Sequence, residues 1–161
     1  MPDSTTTSDL CLVRGWRTGP ELLPVVRPLF EFDPGDDRAT GALLGDRPWP
    51  APLSDLGPAL VDELDQLLGV RFPIVAFQAY RNGSGCDWHA DDPFDAQAIL
   101  SLGVTRTFGT RPNGGVPTWL QVSHGDLVFM PSGFQQTHQH CVPVEDVPGE
   151  RISLVFRTPR S

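Results

Sequence analysis

The 161-residue chain contains no lysine: all twelve basic residues are arginine, against twenty acidic residues, for a net charge of -8. So little basic charge argues against tight non-specific binding to a phosphate backbone, which needs a basic face. It leaves room for a local arginine patch. Cysteine is sparse as well. Cys11, Cys86 and Cys141 are odd in number and show no Cys-x-x-Cys spacing. That excludes a disulfide framework and a structural zinc site and suits a reducing cytoplasm. No apolar run approaches the ~20 residues that cross a bilayer, so no membrane association is expected. The first nine residues lack the basic and apolar regions of a signal peptide and read as a flexible N-terminus.

Proline and glycine, by contrast, are abundant, at seventeen and sixteen residues. They favour short strands and turns over long helices. The length suits one domain over residues 10–161 with a real core, and the chain is read as a monomer. Residues 10–30 mix apolar residues with Pro20, Pro24 and Pro28, so any helix there is short. Residues 31–53, rich in Asp, Gly and Pro, read as a loop or short hairpin that could serve as a lid. A helix is expected from about Pro58 to Leu68. Its apolar stripe is Leu60, Leu64, Leu67 and Leu68, and Gly69 stands where a terminating glycine belongs. From residue 72 to 158 the chain reads as strands: 74–80, 87–91, 98–102, 106–110, 119–122, 127–130, 138–142 and 151–157. Many short strands with glycine turns indicate a mainly β domain, a sandwich or barrel.

The last of these strands, Arg151-Ile152-Ser153-Leu154-Val155-Phe156-Arg157, carries the strongest chemical signal. Side chains alternate faces along a strand. Ile152, Leu154 and Phe156 therefore share one face, and Arg151, Ser153, Val155 and Arg157 the other. Two arginines on the inner side of a β structure are too costly to bury unpaired. They imply a bound anion, most simply a dicarboxylate held by guanidinium forks.

Upstream, His89-Ala90-Asp91 puts one imidazole and one carboxylate on the same face of a strand. A second histidine from a later strand would complete a two-histidine, one-carboxylate set, the pattern of non-haem iron(II) oxygenases, which keep positions open for cosubstrate and dioxygen. His138 and His140 share a face, and spacing does not choose between them. His124, before Gly125-Asp126, reads as a solvent-exposed turn residue. An iron triad followed by an arginine clamp reads as an iron(II)- and 2-oxoglutarate-dependent dioxygenase. A non-catalytic metal-binding β-barrel is the alternative from another class.

These residues lie in a stretch, about 72–158, that resembles the AlkB-like iron(II)/2-oxoglutarate dioxygenases. The matching motifs are Gln78-Ala79-Tyr80, His89-Ala90-Asp91, Gly125-Asp126-Leu127-Val128, His140-Cys141-Val142-Pro143 and Arg151 through Arg157. The resemblance implies a double-stranded β-helix, or jelly roll, with one or two N-terminal helices. It makes His89, Asp91 and His140 the iron ligands. It assigns Arg151 and Tyr80 to the distal carboxylate of 2-oxoglutarate and sets Arg157 near the proximal carboxylate and Asp91. Gln78 and Ser153 stand where the family carries asparagines; both keep hydrogen-bonding capacity in the cosubstrate site.

The implied reaction is decarboxylation of 2-oxoglutarate to succinate, coupled to oxidative dealkylation of a nucleic-acid base, with single strands preferred. Trp49, Asp92 and Phe94 are the candidate substrate residues. Arg38, Arg47, Arg81 and Arg111 are candidates for phosphate contact at the rim. Pro93 replaces the acidic residue that family members often carry two positions beyond the metal aspartate. With the acidic net charge, this keeps hydroxylation of a small molecule or a protein as the alternative.

Overall fold

A computed structural model describes residues 10–41 and 47–161, together with the backbone of 4–7. The strands in chain order are β1 (Ser4–Thr7), β2 (Leu10–Val13), β3 (Arg38–Thr40), β4 (Ile74–Arg81), β5 (Cys86–His89) and β6 (Phe94–Gly103). They continue with β7 (Arg106–Pro112), β8 (Thr118–Val122), β9 (Leu127–Met130), β10 (His138–Val142) and β11 (Glu150–Pro159). The helices are α1 (Leu22–Val26), α2 (Leu56–Leu68) and α3 (Phe134–Thr137).

The strands form a seven-stranded sheet, ordered β1-β2-β9-β6-β11-β4-β3, and a four-stranded sheet, ordered β5-β10-β7-β8. Every pairing is antiparallel. The architecture is a jelly roll, as expected. No helix among the described residues is long and apolar enough to cross a membrane, and the three cysteines are free.

β11 lies between β6 and β4 in the large sheet, and its alternation divides the core in two. Ile152, Leu154 and Phe156, all fully buried, pack outward with Leu60 and Leu64 of α2 and with Phe72, Phe77 and Leu100. Each such side chain contributes about 1.5–3 kcal/mol of hydrophobic stabilisation. The opposite face lies between the sheets, where Val155 joins Tyr80, Ile99, Phe108, Val128, Met130 and Val142. α2 starts two residues before Pro58, which sits in its first turn where a missing N–H costs nothing. It stops at Gly69, which adopts φ 68°, a left-handed conformation, and whose N–H reaches the Asp65 carbonyl.

Several elements depart from the sequence reading. Ser4–Thr7, within the segment read as flexible, forms β1 against β2. Leu10–Val13, read as part of a short-helix region, is a strand paired with β9, since a four-residue apolar run fits either state until a partner edge is present. Arg38–Thr40, inside the lid-like segment, is an edge strand on β4. Residues 42–46 of that segment lie outside the described residues. β5 ends at His89 rather than Asp91, because the Asp91 N–H bonds the Gln135 side chain instead of a strand partner.

Candidate metal centre and cosubstrate pocket

β5 and β10 pair with His89 directly opposite His140. Their rings stand 4.3 Å apart. Asp91, just past the end of β5, swings its carboxylate between them. His140 Nε2 lies 3.1 Å from Asp91 Oδ2, and His89 Nε2 lies 3.6 Å from Oδ1. One ligand atom from each of the three residues falls within 4.8 Å of the others, and this is the cluster of metal-ligating type found among the described residues.

The surroundings prepare these groups for a cation. The Asp91 carboxylate is held at Oδ2 by the Gln97 amide (2.9 Å), with Arg157 3.8 Å from Oδ1. Burial works against its ionisation, but His140, Gln97 and Arg157 outweigh burial and hold it well below the usual carboxylate range. Burial pushes the His140 imidazole down, favouring the neutral form that a metal ligand needs. Phe108 stacks on His140 at 5.7 Å and 13° between planes. The His89 ring is fixed through Nδ1, which sits 2.6 Å from the Asp87 carbonyl and 3.5 Å from Cys86 Sγ. With the proton on Nδ1, Nε2 is left facing Asp91, the tautomer that carbonyl-oriented metal ligands adopt. The Cys86 contact, the Asp87 carbonyl and the Asp91 charge outweigh partial burial and raise His89 to about 9. The nitrogen–oxygen donor set, its convergence and its open side toward the pocket fit iron(II).

The same pocket is lined by Gln78, Tyr80, Arg151, Ser153 and Arg157. Register brings them together. Across β11, Arg151 faces Tyr80 and Ser153 faces Gln78 on β4. On the other side Ser153 faces Ser101 and Arg157 faces Gln97 on β6. Arg151 is 2% exposed. One of its nitrogens donates to Ser101 Oγ at 2.9 Å, Nε has no partner, and no carboxylate lies within ion-pair distance among the described residues. Burial lowers its pKa, aided by the Arg106 charge and against the partial support of Tyr80. Tyr80 donates its hydroxyl proton to Gln78 Oε1 at 2.9 Å. Arg157 donates from Nε to Gln97 Oε1 at 2.8 Å, so Gln97 ties this arginine to the Asp91 carboxylate.

The substrate candidates fare differently. Trp49 stands edge-on to Phe77, 6.3 Å between centroids, on the helix-covered face of β4 and away from the pocket. A large apolar ring gains more there than at a wet entrance. Asp92 pairs with Arg160. Phe94 begins β6, and the Arg157 guanidinium lies over its ring at 4.6 Å, beside the pocket.

Of the rim arginines, Arg81 pairs with Asp37 and covers Phe32. Arg111 covers Trp88 and bonds Gln139, and Arg47 is exposed. Arg38 reaches the site, lying over Tyr80. His138 stacks on Phe134 and bonds Thr137, apart from the metal cluster. His124 is not the exposed turn residue expected: it accepts from the Gly103 N–H at Nδ1 and bonds the Gly19 carbonyl through Nε2, bracing two segments.

Gln97, Gln135 and Cys86 have no site role in the sequence reading, and Ser101 has none beyond lying in a segment, Ser101-Leu102-Gly103 with Arg106 and Phe108, that also resembles the family. A signal existed for two of them. Gln97 and Ser101 are the polar residues in the apolar run Ala96–Leu102, an even number of positions apart, and so share the pocket face.

No family model matches the chain. Over 123 residues, 70% of the chain, it is 34% identical to replicase protein 1a of Grapevine leafroll-associated virus 3, of which it spans only about 5%. Three solved structures superpose over nearly the whole chain. A 2OG-Fe(II) oxygenase family oxidoreductase from Burkholderia pseudomallei is 17% identical with a TM-score of 0.66, covering 95% of this chain and 85% of that one. A prolyl-4-hydroxylase from Pseudomonas putida is 20% identical at 0.67, covering 96% and 94%. OsALKBH1 is 14% identical at 0.65, covering 97% and 100%. The chain has the fold of the 2OG-Fe(II) oxygenases. The His89, Asp91 and His140 cluster and the Arg151 pocket lie inside that fold, between its two sheets.

Proposed function

We propose that the protein is an iron(II)- and 2-oxoglutarate-dependent dioxygenase that oxidatively dealkylates nucleic-acid bases. The observation that carries the enzymatic reading is Arg151. It is a buried guanidinium without a carboxylate, in the same pocket as a His-Asp-His cluster. A charge desolvated this far is costly unless an anion completes it, and 2-oxoglutarate brings a carboxylate at each end.

In this reading His89, Asp91 and His140 hold iron(II), which when bound supplies activation of dioxygen. Arg151 and Tyr80 bind the distal carboxylate of the cosubstrate, with Gln78 and Ser153 beside them, while Gln97 and Arg157 hold Asp91 ionised and aligned. Overall, 2-oxoglutarate, dioxygen and an N-methyl group give succinate, carbon dioxide and an N-hydroxymethyl group. The last collapses to formaldehyde and the free amine.

Two similarities support a nucleic-acid substrate: the fold shared with OsALKBH1 and the 34% identity to part of a viral replicase. Contact is confined to a few arginines, given the net charge of -8. The same acidity and the fold shared with a prolyl-4-hydroxylase favour, as a second reading, hydroxylation of a protein or small molecule. The test offers methylated single-stranded oligonucleotides and follows formaldehyde beside succinate. Formaldehyde in step with succinate is the expected result. Succinate without formaldehyde, across the common N-methylated bases, would replace the first reading with the second.

A further inference from the structure

Tyr80 is the chain's single tyrosine. It is 3% exposed, and two guanidinium groups lie over its ring, Arg151 at 5.5 Å and Arg38 at 4.9 Å. Arg38 belongs to β3, the edge strand of the large sheet, in direct register with Tyr80 on β4. Its terminal nitrogen lies 3.5 Å from the Tyr80 oxygen, while the hydroxyl proton points to Gln78 Oε1. Seven other arginines, including Arg14, Arg27, Arg81 and Arg106, have carboxylate partners within 3.2 Å. No carboxylate lies within ion-pair distance of Arg38 among the described residues. Arg38 therefore stands against a buried phenol, with the Cys86 thiol beside it, rather than against a carboxylate.

A hydroxyl has one proton to give and two lone pairs to receive. A charged donor on a lone pair draws electron density from the oxygen and makes its O–H a stronger donor. We infer that Arg38 is a positioning residue for the cosubstrate: it holds the Tyr80 oxygen so that the hydroxyl proton is presented to the distal carboxylate of 2-oxoglutarate. This rests on the reading of the pocket as a 2-oxoglutarate site. When the carboxylate arrives, the hydroxyl turns its proton from Gln78 Oε1 to the ligand and keeps its lone pair on Arg38. The distal carboxylate is then met by Arg151 directly and by Arg38 through Tyr80. The long unliganded contact tightens on loading, as site hydrogen bonds do when a ligand completes them. The tightening needs only rotation of the Arg38 side chain, its backbone staying in register with Tyr80.

The experiment compares two ligands, 2-oxoglutarate and 2-oxobutanoate, which share the metal-chelating end but differ in the distal carboxylate. Dissociation constants are measured on manganese(II)-loaded protein, where no turnover occurs, for wild type, R38A, R38K, Y80F and R38A/Y80F. R38A is expected to weaken 2-oxoglutarate about tenfold, the scale of one hydrogen bond to a charged group, and to leave 2-oxobutanoate unchanged. R38K recovers part of the loss. The double variant binds no worse than Y80F alone, because both changes cut the same relay. Equal weakening of both ligands, losses that add, or no loss at all would overturn the role of Arg38. A wild type that binds neither ligand would overturn the reading of the pocket itself, and the proposal with it.

Discussion

Two arginines are buried to the same degree between the sheets, near enough for the charge of one to act on the other. Arg106 and Arg151 are each 2% exposed. Arg106, on β7, is satisfied by the chain itself: Nε meets Glu145 Oε1 at 3.2 Å, and a terminal nitrogen donates to the carbonyls of Pro143 (2.8 Å) and Gly83 (3.2 Å). Glu145 in turn accepts from the Thr107 N–H and hydroxyl. Arg151 has one hydroxyl, Ser101, and an aromatic ring beside it. Burial alone thus says nothing about function. The difference lies in whether the fold supplies the counter-charge. Around Arg106 it does, and the residue clamps the loop around Glu145 to the small sheet. Around Arg151 it does not, which is what the proposed anion would complete. Desolvation raises the cost of an unpaired charge and strengthens every interaction that relieves it.

The widest separation of the two surroundings comes from the metal. His140→Ala should abolish metal binding and 2-oxoglutarate turnover, while His138→Ala retains both; metal titration and succinate release read the result. If His138→Ala were the damaging change, the two histidines would exchange places. By contrast, Arg106→Met leaves Glu145 and two carbonyls without their cation. The expected loss is about 3–5 kcal/mol of stability, measured by denaturant unfolding.

Arg151→Met should act in the opposite sense. Removing an uncompensated charge leaves the ligand-free protein as stable as before or more so, but 2-oxoglutarate binding falls by about 2–5 kcal/mol. Saturating 2-oxoglutarate then ceases to raise the melting temperature. Comparable destabilisation by both substitutions would erase the distinction drawn between them.

Titration offers a further separation. His89, at about 9 in the metal-free protein, is protonated at neutral pH. Its folded value lies above the ordinary imidazole value of 6.5. Its contribution to the stability of the metal-free protein is therefore complete below pH about 6.5 and fades as pH rises toward 9. The metal needs that proton gone. Binding at pH 7 should release a proton from His89, and affinity should climb about tenfold per pH unit until about pH 9. A pH-independent affinity would show that the cluster is not the ligand set.

The smallest effect is expected at Ser101, which makes the hydrogen bond that Arg151 receives from the fold. Ser101→Ala should weaken 2-oxoglutarate by about 1 kcal/mol and leave Arg106 and overall stability nearly unaffected.

Local sequence pattern carries more of the site than of its frame. Alternation along 151–157 separated Arg151, Ser153 and Arg157 from Ile152, Leu154 and Phe156, because the two-residue period of a strand needs no partner to define it. β4 and β7 through β11 followed from apolar runs between turns, and α2 from its leucine stripe and Gly69. His89 and Asp91 were legible as a pair, although Asp91 reaches its place from beyond the strand rather than along it. Spacing leaves His138 and His140 equal, since they share a face. The family resemblance points to His140, and the β5–β10 register sets His140 against His89.

Only the tertiary structure decided β2 and β3, whose short sequences carry no distinctive pattern and became strands because β9 and β4 offered them edges. Trp49 went to the core because the apolar surface of Phe77 was there to receive it. Nor does any local pattern reveal that Arg106 finds Glu145 while Arg151 finds no carboxylate. That pairing depends on which loops close over which end of the sandwich, and long-range closure, unlike strand alternation, is a property of the assembled fold.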